Sequence, residues 1–465
     1  MHISKSRRAS RSVRAEPSAS RAKAARPRVA LALAGGGPLG AIYEIGALCA
    51  LDEALQGLEL NDCAHYVGVS AGGFIAAGLA NGMTPRELCH LFISSQGSQG
   101  ETFDPAWLMR PAYAEIAHRL AQLPGLGMQS LWAWTLGGKS LISALEKLAP
   151  AMPTGLFSNE EVHRQLARLF SQPGRTNDFR QLPHRLTLVA THLDSGDAAP
   201  FGREGWDHVP ISRAIAASAA LPGLFPPVEI DGRFYVDGAL KKTMHATVAL
   251  DEGVDVMFCL NPLVPFDATA PDTVRVGKRH DTPIPSMVDG GFPAVMSQTF
   301  RSMIHSRLEL GMKQYERSYP HTAIVLIEPD HRDAELYLAN TFSYRQRSEL
   351  AEHAYQQTRQ MLRSQYTTLS ARLNPHGLSL DRCVLEDETR GLLGPVTSSD
   401  KPLRAPLDPR SENSCGATVS PAGRRHAPPL QRLPGRQRLS QALNRLQDSV
   451  DDLQHALNQG TVGPR

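Results

Sequence analysis

Ser70 stands in Gly68-Val69-Ser70-Ala71-Gly72, between a short apolar run, His65 to Val69, and a helix-prone stretch, Gly73 to Leu79. Strand, Gly-x-Ser-x-Gly, helix is the arrangement of a nucleophile elbow. The tight turn lifts the serine hydroxyl clear of the sheet, and small neighbours are needed where the backbone doubles back. A serine that attacks a carbonyl creates an alkoxide, and that charge needs pre-aimed N–H donors in a dry site. Gly35, Gly36 and Gly37 follow another apolar run, Val29 to Ala34, and lead through Gly40 into a helix expected over Gly40 to Leu55. A glycine loop at a helix N-terminus offers unpaired N–H groups and a favourable dipole, so it is the expected oxyanion hole beside Ser70. The base must come from elsewhere. Asp237 ends a β-prone run, Phe234 to Val236, and is followed by Gly238 and Ala239. A carboxylate just past the C-terminal end of a strand is where an open α/β sheet places site residues. Partial desolvation would raise its pKa and make it a better base.

Taken in order, Gly35-Gly36-Gly37-Pro38-Leu39-Gly40, Gly68-Val69-Ser70-Ala71-Gly72 and Asp237-Gly238-Ala239 resemble the patatin-like phospholipases. So does the segment Ala216-Ala217-Ser218-Ala219-Ala220-Leu221-Pro222-Gly223-Leu224-Phe225-Pro226-Pro227. The resemblance runs from about Arg28 to Asp330. It implies a three-layer α/β/α fold around a mostly parallel sheet, and lipid acyl hydrolysis by a Ser–Asp dyad with no catalytic histidine. Carried over, Ser70 is the nucleophile, Asp237 its base, and Gly35, Gly36, Gly37 and Gly40 form the oxyanion loop. Gly68 and Gly72 frame the elbow, and Gly238 and Ala239 complete the Asp-Gly motif. No metal and no cofactor are implied; the partner is a lipid ester. One departure concerns charge. The family often has Arg or Lys where this chain has Leu39, and Pro38 has no N–H to donate.

Four other readings compete. Gly35-x-Gly37-x-x-Gly40 between a strand and a helix also fits a dinucleotide-binding turn, but that fold wants an acid at the end of the second strand, where Gly68-Val69-Ser70 stands. A P-loop fails because no Gly-Lys-Ser/Thr follows. A Ser–Asp–His hydrolase would pair Asp237 with His245, His305 or His321, although none falls on a late loop after the last expected strand. A patatin-like binding scaffold at a lipid surface is the non-enzymatic alternative; the retained serine, aspartate and glycine loop argue against it.

The 465 residues suit one large domain or two to three small ones, and 42% hydrophobic content supports a real core. A formal charge of +3 gives no electrostatic case for nucleic acid. Six cysteines without close spacing argue against a metal site or disulfide framework and for a reducing compartment. Without a secretory signal or an apolar run of about 18 residues, the expectation is a soluble cytoplasmic protein, touching a membrane or lipid body only peripherally.

The expected organisation is a basic disordered arm over 1–27, a hydrolase domain over 28–375, a Pro/Arg-rich linker over 376–436 and a heptad helix over 437–459. The arm reads as disordered by composition, or as a polybasic patch for anionic membrane. Within the domain, Phe103 to Phe170 reads as a helical insertion over Ser70. Its Trp107, Trp132 and Trp134 either pack on the core or meet lipid. Further strands are expected at Arg185 to Thr191, Val254 to Leu260 and Ala323 to Ile327. Helices are expected at Ala214 to Leu221, Phe292 to Met312 and Tyr344 to Leu373, the last as one long element. Leu439, Leu443, Leu446, Val450, Leu453 and Leu457 alternate spacings of four and three, an a/d seam that wants a partner helix, a second copy above all.

Overall fold

The computed structural model describes residues 26–94, 110–121, 123–125, 149–267, 269, 287–338 and 344–393. The first 25 residues of the basic arm, the three insertion tryptophans and the heptad segment lie outside the described residues.

The centre is a mixed sheet in the order β6-β7-β4-β3-β1-β8-β9, with β5 also paired to β4. The strands are β1 (Val29–Leu33), β3 (His65–Gly68), β4 (Arg185–His192), β5 (Ala198–Phe201), β6 (Val228–Ile230), β7 (Arg233–Asp237), β8 (Val256–Leu260) and β9 (Ala323–Ile327). From β4 through β3, β1 and β8 to β9, neighbours run parallel. β7 joins β4 antiparallel, as do β5 to β4 and β6 to β7. A separate short pair joins β2 (Leu55–Gln56) to β10 (Ser379–Leu380).

Burial on both faces explains why these strands read as continuous apolar runs rather than alternating ones. The period of two shows in side-chain size instead. In β1, Val29, Leu31 and Leu33 enter one core, with Val256, Phe258 and Leu260 of β8. Ala30, Ala32 and Ala34 enter the other, with Met257 and Cys259. The larger core is closed by α1 (Gly37–Ala54), α2 (Ala71–Ala80), α3 (Asn159–Phe170), α4 (Ile211–Ser218) and α6 (Tyr344–Ser364); the smaller by α5 (Gly291–Ser318). This is the expected three-layer α/β/α arrangement. At Gly46 a Cβ would strike the Ala351 carbonyl of α6, so the glycine sets how closely α1 and α6 pack.

Several element boundaries differ from the sequence reading. α1 starts at Gly37, inside the glycine loop. The helix expected over Tyr344 to Leu373 breaks at Gln365 into α6 and a second helix, Tyr366–Leu373. α5 spans Gly291–Ser318, and of its apolar positions Ile304 and Leu308 are buried while Val295 and Met303 face outward. Past position 375, where the linker was expected to begin, the chain stays on the domain: β10 pairs with β2, and Leu385 and Leu392 are buried. Among the described cysteines, Cys49, Cys63, Cys89 and Cys259 are buried thiols, as small core hydrophobes should be. No helix among the described residues is long and apolar enough to cross a membrane.

Candidate active site

β3 ends at Gly68 and α2 begins at Ala71, so Ser70 occupies the turn itself, at φ 52° and ψ −123°. A serine in so sparsely populated a conformation costs about 1–3 kcal/mol and persists only where the surroundings impose it. The flanking glycines explain the imposition. A Cβ at Gly68 would overlap Gly73 and come within 2.9 Å of the Ala76 methyl. At Gly72 it would strike the Ala34 carbonyl and stand 2.6 Å from the Leu33 carbonyl carbon. The sharp turn is possible only because both lack side chains.

A partner 148 residues away in sequence completes the turn. The Ser70 N–H donates to Ser218 Oγ at 2.8 Å, and Ser218 Oγ donates to the Val189 carbonyl of β4 at 2.6 Å. Ser218 is the last residue of α4 and fully buried. It thereby ties the elbow to the sheet and satisfies a donor that would otherwise be orphaned. The sequence reading quoted Ser218 only as part of a resemblance; its contact has no local sequence signal.

The glycine loop lies where expected. A Cβ on Gly35 would be 3.0 Å from Ser70 Cβ and 3.6 Å from Ser70 Oγ. Gly37 opens α1 at φ +59°, a conformation that L side chains rarely adopt. Gly36 and Gly40 pack against Pro262, leaving 2.7 and 2.9 Å for an added Cβ. The loop thus fits tightly between the elbow and the segment after β8.

Asp237 also reaches the site, by a different route from the one expected. The sequence reading placed it at the C-terminal edge of parallel strands, whereas β7 is antiparallel to β4 and heads away from that edge. Register decides the outcome. Gly68 of β3 pairs with Leu188 of β4, so Ser70, two residues on, falls level with Ala190. On its other side Ala190 pairs with Asp237. β7 stops at that level, where Asp237 N–H donates to the Ala220 carbonyl at 3.0 Å and Thr191 Oγ1 donates to the Asp237 carbonyl at 3.1 Å. Gly238 permits the stop, since a Cβ there would overlap the Val189 carbonyl.

The Asp237 carboxylate accepts the Ala239 N–H at 2.8 Å, and the neighbouring Ser70 side chain also favours its charged form. Burial pushes its pKa up from 3.8 to about 6, against the opposing pull of those two groups. Desolvation wins because no cation among the described residues offsets it. Glu44, on α1, shares this condition. It is completely buried, its pKa is held well above the usual carboxylate range by desolvation, and its closest polar influence is the Ala34 backbone.

None of the three histidines weighed for a triad meets the Asp237 carboxylate. His245, at φ 49°, places Nε2 3.2 Å from the Gly238 carbonyl, and burial lowers its pKa to about 4. It braces the turn after Asp237 as a neutral ring. His305 faces Glu309 and Glu328, and His321 is exposed. His192 bonds Ser195 in the turn after β4, and Asp194 is exposed in that turn. Among the described residues no cluster of His, Cys, Asp and Glu could hold a metal ion.

A cavity of about 550 Å³ lies at the other end of the sheet, where β3 and β4 begin. It is lined by His65, Arg185, Arg203, Trp206 and Glu252 among others. It is remote from Ser70, and its size does not make it the reacting centre.

Comparison with known proteins bears on the same elements. A family model described as patatin-like phospholipase matches residues 31–250. Uncharacterized NTE family proteins of Mycobacterium bovis and Mycobacterium tuberculosis are each 27% identical over 215 residues. That match covers 46% of this chain and 43% of theirs, so the chain spans less than half the length of these relatives. Among solved structures, VipD from Legionella pneumophila is similar at 18% identity and a TM-score of 0.33, over 73% of this chain and 67% of that one. The glycine loop, the Ser70 elbow and the Asp237 turn all fall inside residues 31–250, the span that matches the patatin-like phospholipase model.

Proposed function

We propose that the chain is a lipid acyl hydrolase that cleaves carboxylic esters through Ser70 and Asp237. The observation that carries this reading is the Asp237 carboxylate: fully buried, with no cation beside it among the described residues, and brought by strand register level with a serine held in a strained turn. A pKa near 6 leaves it ionised at neutral pH yet basic enough to take a proton.

As Ser70 Oγ attacks the ester carbonyl, its proton passes to Asp237, and the Gly36 and Gly37 amides donate to the oxyanion. Collapse expels the alcohol, which takes the proton from Asp237 and leaves an acyl-serine. Water, deprotonated by Asp237, attacks in turn; the second collapse releases the fatty acid and returns a proton to Ser70. The residues need no metal or cofactor for these steps. A protein that works this way meets its substrate at a membrane or lipid body, as a peripheral visitor.

Mass spectrometry after treatment with a fluorophosphonate tests the reading. Label on Ser70 is expected in the unmodified chain and none in Ser70→Ala, with ester turnover falling at least about 10⁴-fold in that variant. An unlabelled but folded chain would instead support a binding scaffold.

A further inference from the structure

Among the described residues the buried acids are Glu44, Glu161, Asp237 and Asp333. Glu161 lies 3.3 Å from Arg110 and Asp333 2.7 Å from His353, as buried carboxylates require. Asp237 has its part in the proposed chemistry. Glu44 is different. Among the described residues no cation lies beside it, and neither of its oxygens has a hydrogen-bond partner of ordinary geometry. For the fold alone an apolar side chain of the same length would serve better, since burying an unpaired acid costs stability.

Its position joins it to the glycine loop. The loop closes on α1 where the Gly40 N–H donates to the Gly36 carbonyl at 3.0 Å. Glu44 stands four residues after Gly40, one turn further along the same face, and helical side chains lean toward the N-terminus. That lean brings it to Ala34, whose backbone is the polar group that counters its burial. Three parts of the site meet at Ala34. Its N–H donates to the Leu260 carbonyl of β8 at 3.0 Å, its carbonyl packs against Gly72 of the elbow, and Gly35 follows it, beside Ser70. Burial favours the protonated acid, so no negative charge at Glu44 opposes an oxyanion at the Gly36 and Gly37 amides.

We propose that Glu44 is a positioning residue: its buried carboxyl bears on the Ala34 backbone and so holds the glycine loop with the Gly36 and Gly37 amides aimed at the reacting carbonyl. It touches no substrate. A shift of about 1 Å in a reacting group can cost about 10²-fold in rate, so a small movement at Ala34 is enough to be read in turnover. The assignment rests on the ester-hydrolase reading of Ser70.

Glu44→Met and Glu44→Gln separate positioning from packing. Met matches the length of the side chain and removes both oxygens, whereas Gln keeps an uncharged polar group. With p-nitrophenyl butyrate as substrate, Glu44→Met is expected to lower kcat by about 10–10²-fold while leaving KM within about twofold. The same variant should unfold at a higher denaturant concentration than the unmodified chain, because an unpaired buried acid is gone. Glu44→Gln should keep kcat within about threefold. A trifluoromethyl ketone, whose adduct with serine places an oxyanion in the hole, should bind Glu44→Met more weakly by the factor that kcat/KM falls. Full turnover in Glu44→Met overturns the proposal, as does an equal loss in Glu44→Gln, which would trace the effect to altered packing. Failure of Glu44→Met to fold also overturns it, by assigning the carboxyl to the fold itself. No fluorophosphonate label on Ser70 of the unmodified chain would defeat the hydrolase reading and this proposal with it; failure of the proposal alone leaves that label in place.

Discussion

At the N-terminal edge of the sheet, Glu252 is surrounded by partners: His65 Nδ1 at 3.2 Å, Arg185 at 2.9 Å and Arg203 at 3.4 Å. His65 uses its other ring nitrogen on Thr187 Oγ1 at 2.9 Å. At the C-terminal edge, Asp237 and Glu44 are more deeply buried, with no cation beside them among the described residues. Ser70 beside them sits at a positive φ that the other edge shows nowhere in its strands. One edge neutralises its charge and stores little; the other keeps a carboxylate desolvated and a serine strained. A desolvated carboxylate is a stronger base, and a pre-strained turn holds its hydroxyl in one place. Both features destabilise the fold locally, as expected of residues retained for chemistry. The cavity of about 550 Å³ lies at the relaxed edge, away from the strained serine and the desolvated carboxylate.

Asp237→Asn tests this contrast with the largest effect. Loss of the base should lower kcat by about 10²–10⁴-fold, measured on a soluble ester. In the unmodified chain kcat/KM should fall about tenfold per pH unit below pH 6, as the base becomes protonated. Stability should move the other way. A carboxyl whose folded pKa of about 6 exceeds its ordinary 3.8 binds its proton more tightly in the folded state. Its contribution is therefore most favourable below pH 4 and is lost as pH rises through 6, by up to about 3 kcal/mol. Denaturant titration should show Asp237→Asn more stable than the unmodified chain by about 1–3 kcal/mol at pH 8, with no gain at pH 4. If Asn destabilises at pH 8, the carboxylate is not strained by burial.

Ser218→Ala sharpens the picture of the elbow. It removes the acceptor of the Ser70 N–H and should cost about 1–3 kcal/mol of stability. The rate of fluorophosphonate labelling should drop by about tenfold as the turn loosens. Labelling at the original rate would mean that the glycine contacts alone hold Ser70.

Glu252→Gln, at the other edge, carries the smallest effect. Exposed arginines surround much of this network, so about 1 kcal/mol of stability should be lost. The labelling rate of Ser70 should be unaltered. A large fall would join the two edges energetically and dissolve the contrast.

The elbow was legible in the sequence because its determinants are local. Gly68, Gly72 and the flanking apolar runs meet one another within a few residues, so the steric need for small side chains appears as a motif. The glycine loop is legible for the same reason, and only its place beside Ser70 required the pairing of β1 with β3. Buried strands such as Val29–Leu33 and Val256–Leu260 announce themselves as apolar runs. The break at Gln365 and the outward-facing Val295 and Met303 do not, because helical periodicity reports an apolar stripe without saying what covers it.

Asp237 marks the boundary. Its residue type, its following glycine and its place at a strand end could be read directly, but the strand runs opposite to the direction that would make such an end part of the site. Two registers, Gly68 with Leu188 and Ala190 with Asp237, bring it level with Ser70. Its basicity depends on burial by distant elements, and Ser218 reaches the elbow across 148 residues. Sequence by itself determined which groups could react and where the backbone must turn tightly, because sterics and hydrophobic periodicity act between near neighbours. Only the tertiary structure decided which groups meet and how dry they are, because strand register and desolvation are properties of the assembled sheet.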